Sequence, residues 1–428
     1  MEELNKEKTR SFWLGLLTGA ASAGAVLTLI ICVFIFVFER GKAGDPLTAN
    51  KPSGTNPFSI GNQTVEKSDI VDNEFISKVN RINELIDNYF YFEENVNIDD
   101  IKTSMYDGML ASLDDRYSVY YTPEELETMF TESDGRYYGI GSYVTIDETS
   151  NLPMLSGVFE ESPAQKAGLR DGDLIYEVDG TAAQGLSLND VVSLIKGPID
   201  TDVVLTIIRD GESDYLHITV TRGRVETPTV NHKMLENKIG YLQITEFDDV
   251  TLSQFENAYD DLKKNGMKAL IIDLRSNPGG NLDTVVGICD DILPAGIITY
   301  TVDKYGNREE YACHGNNPID IPLAVLVNEY SASASELMTG AIRDYKVGVV
   351  VGKTTFGKGI VQQIYTLSDN SGIKLTTSRY YTPNGECIHE VGIAPDIEVE
   401  LDTDLYYAED SVDTQLNAAV DYIKGKIR

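Results

Sequence analysis

The chain has 428 residues, 42% of them hydrophobic, so it can bury more than one core, and about two or three domains are expected. It carries 68 acidic against 35 basic residues, a formal net charge of −33. That balance argues against nucleic acid and anionic lipid surfaces as partners and fits a self-repelling, soluble body.

The first elements stand apart from that body. Residues 1–11 read as a short leader, and the run from Phe12 to Phe38 holds no charge. About 20 apolar residues span a bilayer core, so 12–38 is expected to be a membrane anchor rather than a cleaved signal. Its small residues, Ala20 to Ala25, lie in its middle and not after it. Lys6, Lys8 and Arg10 precede the run and Arg40, Lys42 and Lys51 follow it, so charge orients it weakly. The simplest topology leaves the N-terminus inside and the body outside the cytoplasm. Residues 39–67 are rich in Gly, Pro, Asn, Ser and Thr and read as a flexible stalk.

Residues 68–134 are expected to be a helical region. Ile70, Phe75, Val79, Ile82, Leu85 and Ile86 recur at helical intervals, and a second helix is expected from about Ile98 to Leu113. This reads as a small cap, with homodimerisation as one use. Between 135 and 223 the chain changes to short alternating or β-branched runs such as "DLIYEVDG" and "VVLTIIRD", a compact β-rich module. From 224 to 400, apolar strands such as "KALIIDLR", "PLAVLVN" and "VGVVVG" alternate with amphipathic helices, which predicts a largely parallel α/β sheet. Residues 401–428 end in a further helical pattern, "VDTQLNAAVDYIKGK".

Sites in such sheets form where strands run into helix N-termini. One junction is "DLRSNPGGN", where Gly279 and Gly280 follow Pro278. It is either an ordinary turn or a source of oxyanion-binding amides. The other is "NEYSASASELMTG", with Ser331, Ser333 and Ser335. The apolar stripe Ala334, Leu337, Met338, Ala341, Ile342 starts a helix near Ser333. Ser333 and Glu336 match a capping box, so Ser333 could be only a cap. A serine at a helix mouth also has unpaired amides beside it, which suit a tetrahedral oxyanion.

A nucleophilic serine needs a base. None of His217, His232, His314 and His389 sits in a triad-like pattern. An uncharged lysine is the other known base for serine. In "GKTTFGKGIVQQ", Lys358 lies between two glycines, and Gln362 follows it by four residues with an amide oxygen able to orient the amine. Lys358 could equally be a solvated loop lysine, and Lys353 is a rival base. The four cysteines are too few and scattered for a disulfide framework, and with no C-x-x-C, H-E-x-x-H or His/Cys cluster no metal site is expected.

Together "DLRSNPGGN", "SASASE", "GKTTFGKGIVQ" and "TPNGECIHEVGIAPDIEV" resemble the carboxyl-terminal processing proteases in order and spacing, over about residues 68–400. The resemblance implies a crotonase-like α/β peptidase core, Ser333 as nucleophile, Lys358 as base and Gln362 as its support. It implies Gly279 and Ala334 amides as the oxyanion hole, leaves Asp344 as a loosely held further candidate, and implies no metal, nucleotide or organic cofactor. One departure is "LDDRYS", where the family often has L-D-P-H-S; it is expected to touch the helical region and not the dyad. "YGIGSYV" followed by "SPAQKAGLRDGDLIYEVDG" resembles a PDZ domain. There Gly139, Ile140 and Gly141 would offer amides to a peptide's terminal carboxylate, beside a strand edge that accepts the peptide. The expected protein is a membrane-anchored endopeptidase for C-terminal tails of exported proteins. The competing readings are a catalytically silent tail-binding scaffold and a crotonase-like acyl enzyme.

Overall fold

The computed structural model describes residues 70–407 and 411–427. The expected leader, membrane span and stalk lie outside the described residues. Among the described residues no helix is long and apolar enough to cross a membrane. From Asp115 onward the chain forms one compact unit, and the described residues before it belong to another.

The smaller unit holds α1 (Asn73–Tyr89) and α2 (Ile98–Ala111). Asp72 caps α1 by accepting from the Phe75 amide, and Asn97 caps α2. Neither helix buries a residue, and Phe75, Ile82, Leu85, Ile101 and Met105 stand exposed.

The larger unit opens with β1 (Val119–Tyr121) and α3 (Pro123–Ser133). A module follows, made of β2 (Arg136–Gly139), β3 (Ser142–Ile146), β4 (Pro153–Val158), α4 (Pro163–Ala167), β5 (Leu174–Val178), β6 (Thr181–Ala182), α5 (Leu188–Ile195), β7 (Asp202–Ile208), β8 (Leu216–Thr221) and β9 (Gly223–Glu226). Its main sheet runs β3-β4-β5-β7-β8, which leaves β3 at an edge, and β2 pairs with β9 to close the module. Alternation along β7 sends Val203, Leu205 and Ile207 into a core with Leu155, Ile175 and Val220.

The remaining elements are β10 (Val230–Met234), β11 (Ile239–Ile244), α6 (Thr251–Lys264), β12 (Ala269–Asp273), α7 (Leu282–Ile292), β13 (Gly296–Asp303), β14 (Arg308–Cys313), β15 (Leu323–Val327), α8 (Ala334–Tyr345), β16 (Val349–Gly352), β17 (Ile360–Thr366), β18 (Gly372–Tyr381), β19 (Ile397–Glu398), α9 (Thr403–Tyr406) and α10 (Thr414–Lys424). One sheet has the order β10-β11-β12-β15-β16-β19, parallel except for β10. Its strands β12 and β15 are buried at every position because both faces are covered. On one face Leu270, Ile272 and Val325 meet Phe255 of α6, Ile288 of α7 and Met338 of α8. On the other, Ile239, Ile271 and Leu326 meet Ala419 and Ile423 of α10. The C-terminal helix is therefore part of this core, and Arg275 ties its cap Asp413 to Asp273 at the end of β12 with bonds of 2.7 and 2.6 Å.

A second, five-stranded sheet joins β1, β18, β13 and β14 in order, with β17 also on β18. The sequence reading does not anticipate it. Its β1 pairs antiparallel with Gly372–Lys374 of β18. Residues from Asp115 thus belong to the larger unit and not, as expected, to a helical region reaching 134.

Candidate active site

Neighbouring parallel strands β12, β15 and β16 all end on the same side of the sheet, which brings "SNPGGN", "SASAS" and "KTTFGKG" together. The three serines part company there. Ser331 Oγ donates to Leu274 O at 2.7 Å and accepts from the Asn328 amide at 2.9 Å. Ser335 Oγ donates to Asn277 O at 3.0 Å. Ser333 Oγ is buried and makes no hydrogen bond among the described residues. The capping box is only half closed, since the Glu336 amide donates to the Ser333 carbonyl at 2.9 Å and not to its hydroxyl. Ser333 also holds φ 60° and ψ −114°, a strained conformation for a residue with a Cβ. Of the first-turn amides of α8, that of Ala334 alone has no acceptor among the described residues.

Lys358 is fully buried, which removes the solvated-loop reading. Because Ser333 Oγ makes no hydrogen bond, the Ser333–Lys358 bond is not closed in this conformation. Catalytic hydrogen bonds often tighten only once substrate is bound. Gln362 lies beyond Lys358 on β17; its Nε2 donates to Thr376 Oγ1 at 3.1 Å, while its buried Oε1 accepts nothing. A buried acceptor left empty is costly, so that oxygen is poised for a donor. The rival Lys353 instead pairs with Glu398 at 3.0 Å and with Glu400, and those carboxylates push its amine up.

Two groups that the sequence does not single out for the site hold Ser333 and Lys358 in register. Glu336, fully buried, accepts from the Ser333 amide at 2.8 Å and from the Lys358 amide at 2.8 Å through the same Oε2. Its Oε1 takes Thr355 Oγ1 at 2.5 Å and the Gly357 amide at 2.7 Å. Burial pushes its carboxyl up, and these four bonds pull it back. The Tyr380 hydroxyl lies against both the Ser333 and Lys358 carbonyls. Only the S-x-x-E spacing hinted at Glu336; nothing in the sequence flagged Tyr380.

Gly279 sits against Ser333, where an added Cβ would lie 2.7 Å from the serine's own. Its amide, the expected oxyanion donor, is given to Asn277 Oδ1 at 2.8 Å. In this conformation it is not available, whereas that of Ala334 is. Asp344 lies eleven residues along α8 from Ser333, about 16 Å of helix. Its carboxylate pairs with Arg343 and accepts the Asn384 amide at 2.9 Å, so it fixes the "TPNG" turn rather than the serine.

The "LDDRYS" segment does not stay with the helical region. Tyr117 places its ring 4.8 Å from Lys358 Nζ, because β1 pairing with β18 draws the preceding loop onto the site.

In the β-rich module, Gly139 ends β2, and the carbonyls of Ile140 and Gly141 accept the Ala164 amide at 2.7 Å and the Phe159 amide at 3.0 Å. The amides of Ile140 and Gly141 donate to no acceptor among the described residues. Gly141 needs its φ of +82°, and a Cβ there would lie 2.5 Å from that of Ser162. A cavity of about 720 Å³ runs beside this loop, lined by Ile140, Tyr143, Val192 and Ile195 and reaching Phe247 and Gly280 of the core. Neither Ser333 nor Lys358 lines it.

Strand-end amides beside an unbonded serine, joined to a domain with an open strand edge, are the parts of a serine-type peptidase carrying a PDZ domain. The model of peptidase family S41 matches residues 238–399, and that of the PDZ domain matches 155–209. The carboxyl-terminal-processing protease of Synechocystis is 34% identical over 325 residues, 74% of this chain and 76% of its own length. The carboxy-terminal processing protease CtpA of Bacillus subtilis is 32% identical over 358 residues, 83% of this chain and 76% of its own. A solved photosystem II D1 C-terminal processing protease is 31% identical and covers 72% of this chain and 86% of its own, at a TM-score of 0.45. The chain belongs to peptidase family S41, among the carboxyl-terminal processing proteases.

Proposed function

We propose that this protease is anchored in the cell membrane by residues 12–38, with its body outside the cytoplasm, and cleaves the tails of exported proteins with a Ser333–Lys358 dyad. The observation that carries the dyad is the Ser333 hydroxyl, the one member of its serine run without a hydrogen bond, held in register with buried Lys358 by a single Glu336 oxygen. The PDZ domain binds the substrate's C-terminus at Gly139, Ile140 and Gly141, with the peptide added to the β3 edge. Ser333 Oγ attacks the scissile carbonyl carbon as Lys358 Nζ takes its proton. The oxyanion is met by the Ala334 amide, and by that of Gly279 once it leaves Asn277 Oδ1. The intermediate expels the amine, which leaves with the proton from Lys358. Water, deprotonated by the same lysine, then attacks the acyl carbon, and Ser333 Oγ leaves and takes that proton back from Lys358. Gln362 Oε1 accepts from the lysine and orients it.

The test pairs cleavage with binding. Ser333→Ala and Lys358→Ala should each abolish cleavage of a tailed peptide yet keep its affinity. A silent scaffold would bind the tail and cleave nothing in the wild type. For the anchor, protease added to intact spheroplasts should digest the body; a body digested only after lysis would overturn the topology. The uncovered apolar faces of α1 and α2 support a homodimer through the cap. Light scattering should find twice the chain mass, and charges at Ile82 and Leu85 should halve it.

A further inference from the structure

Lys358 is approached from a part of the chain remote in sequence. Asp115, Arg116, Tyr117 and Ser118 lie just before β1, and the strand pairing lays them over the loop that carries the lysine. The segment is built, not draped. Asp115 accepts from the Tyr117 amide at 3.0 Å and from Ser118 Oγ at 2.6 Å. Ser118 Oγ in turn accepts the Thr376 amide at 3.1 Å, and Thr376 Oγ1 is the group that receives Gln362 Nε2. One chain of bonds therefore runs from Asp115 to the residue proposed to orient the lysine. Arg116 donates to the Tyr117 hydroxyl at 2.6 Å and lies 5.5 Å from the ring of Phe356 in the lysine loop. The Tyr117 ring is 4.8 Å from Lys358 Nζ, within the range of a cation–π contact.

We infer that the Asp115–Ser118 segment is a cradle for the base: the Tyr117 ring positions the Lys358 amine, and the Asp115 carboxylate braces that ring by holding the Tyr117 amide and Ser118 Oγ. Tyr117 is thus a positioning residue, since it acts on substrate only through the lysine. Burial raises the Asp115 carboxyl, but bonds from Ser118, Thr376 and the Tyr117 amide, with the charge of Lys358, hold it below the ordinary range. Among the described residues, other charged or titratable groups packed on this loop include Arg116, Glu336 of α8, Tyr380 of β18, and His389 and Glu390, whose backbones pack on Gly359 and Gly357. Glu336 and Tyr380 engage the Lys358 main chain.

The inference rests on Lys358 being the base, and the experiment separates the two. The full-length protein is assayed for kcat and KM against pH with a tailed peptide, and its melting temperature is recorded. Tyr117→Leu removes the ring and should lower kcat about tenfold or more with KM little changed. Tyr117→Phe keeps the ring and should restore kcat to within about threefold. Asp115→Asn weakens the acceptor that holds the Tyr117 amide and Ser118 Oγ, and should lower kcat by about threefold with KM little changed. Wild-type kcat in Tyr117→Leu or in Asp115→Asn overturns the cradle. If Tyr117→Leu does not fold, kcat in Asp115→Asn decides alone. Cleavage by Lys358→Ala would instead fail the dyad.

Discussion

Two glycine turns in this molecule are proposed to meet negative charge, and their amides are kept differently. At Ile140 and Gly141 the carbonyls are used inside the PDZ domain and the amides are given to no acceptor among the described residues. At Gly279 the amide is taken by the side chain of Asn277, two residues back. In the proposed roles, carboxylate capture would begin without rearrangement, whereas a full oxyanion hole would require one donor to be released. A terminal carboxylate is always charged and waits in solvent, so its site can stand open. An oxyanion exists only in passing, and between turnovers the Gly279 amide is spent on Asn277 Oδ1 while that of Ala334 finds no acceptor among the described residues.

This contrast can be broken at either end. The largest effect is expected at Glu336, which serves the catalytic side alone. Glu336→Gln puts an NH₂ where two amides now donate, leaving buried donors unpaired. It should lose about 2 to 4 kcal/mol of stability in denaturant titrations. Any folded fraction should cleave poorly, and tail affinity should survive because the PDZ core is separate.

Gly279→Ala comes next. Its φ of +108° and the 2.7 Å approach to Ser333 leave no room for a methyl group. The strain costs about 1 to 3 kcal/mol and should displace the serine. Peptide assays should show kcat falling far more than KM rises. An active Gly279→Ala enzyme would mean the turn is not where the oxyanion forms.

On the PDZ side, amidating the tail of a substrate should weaken binding by about 1.5 to 3 kcal/mol in calorimetry, the usual worth of a bond to a charged group. Equal affinity for acid and amide would show that the open amides do not capture a carboxylate. The smallest effect is expected from Lys353→Ala, which loses pairs with Glu398 and Glu400 near the surface. Its kcat/KM should match the wild type.

What was legible in the sequence follows the range of the contacts. Ser333 could be placed at a helix mouth because an apolar stripe is a local pattern, whereas Lys358 stood level with a loop lysine and with Lys353 until the family resemblance favoured it. The alternating runs, also local, gave away the PDZ strands. Tyr380 and Tyr117 were invisible because neither carries a local signal; β18 brings both to the site through pairings hundreds of residues long or across a hairpin. Asn277 was hidden inside a motif read for its glycines. Asp344, which the sequence left open, has its carboxylate on Arg343 and the Asn384 amide. The C-terminal helix was legible as a helix, but its apolar stripe does not reveal which face of which sheet it covers.

The most direct measurement is to quench the enzyme during turnover of a slowly deacylating ester substrate, digest it, and weigh its peptides by mass spectrometry. The account predicts an acyl adduct on Ser333 in the wild type and none in Lys358→Ala. An adduct on Ser331 or Ser335, or acylation of Lys358→Ala at the wild-type rate, would contradict it.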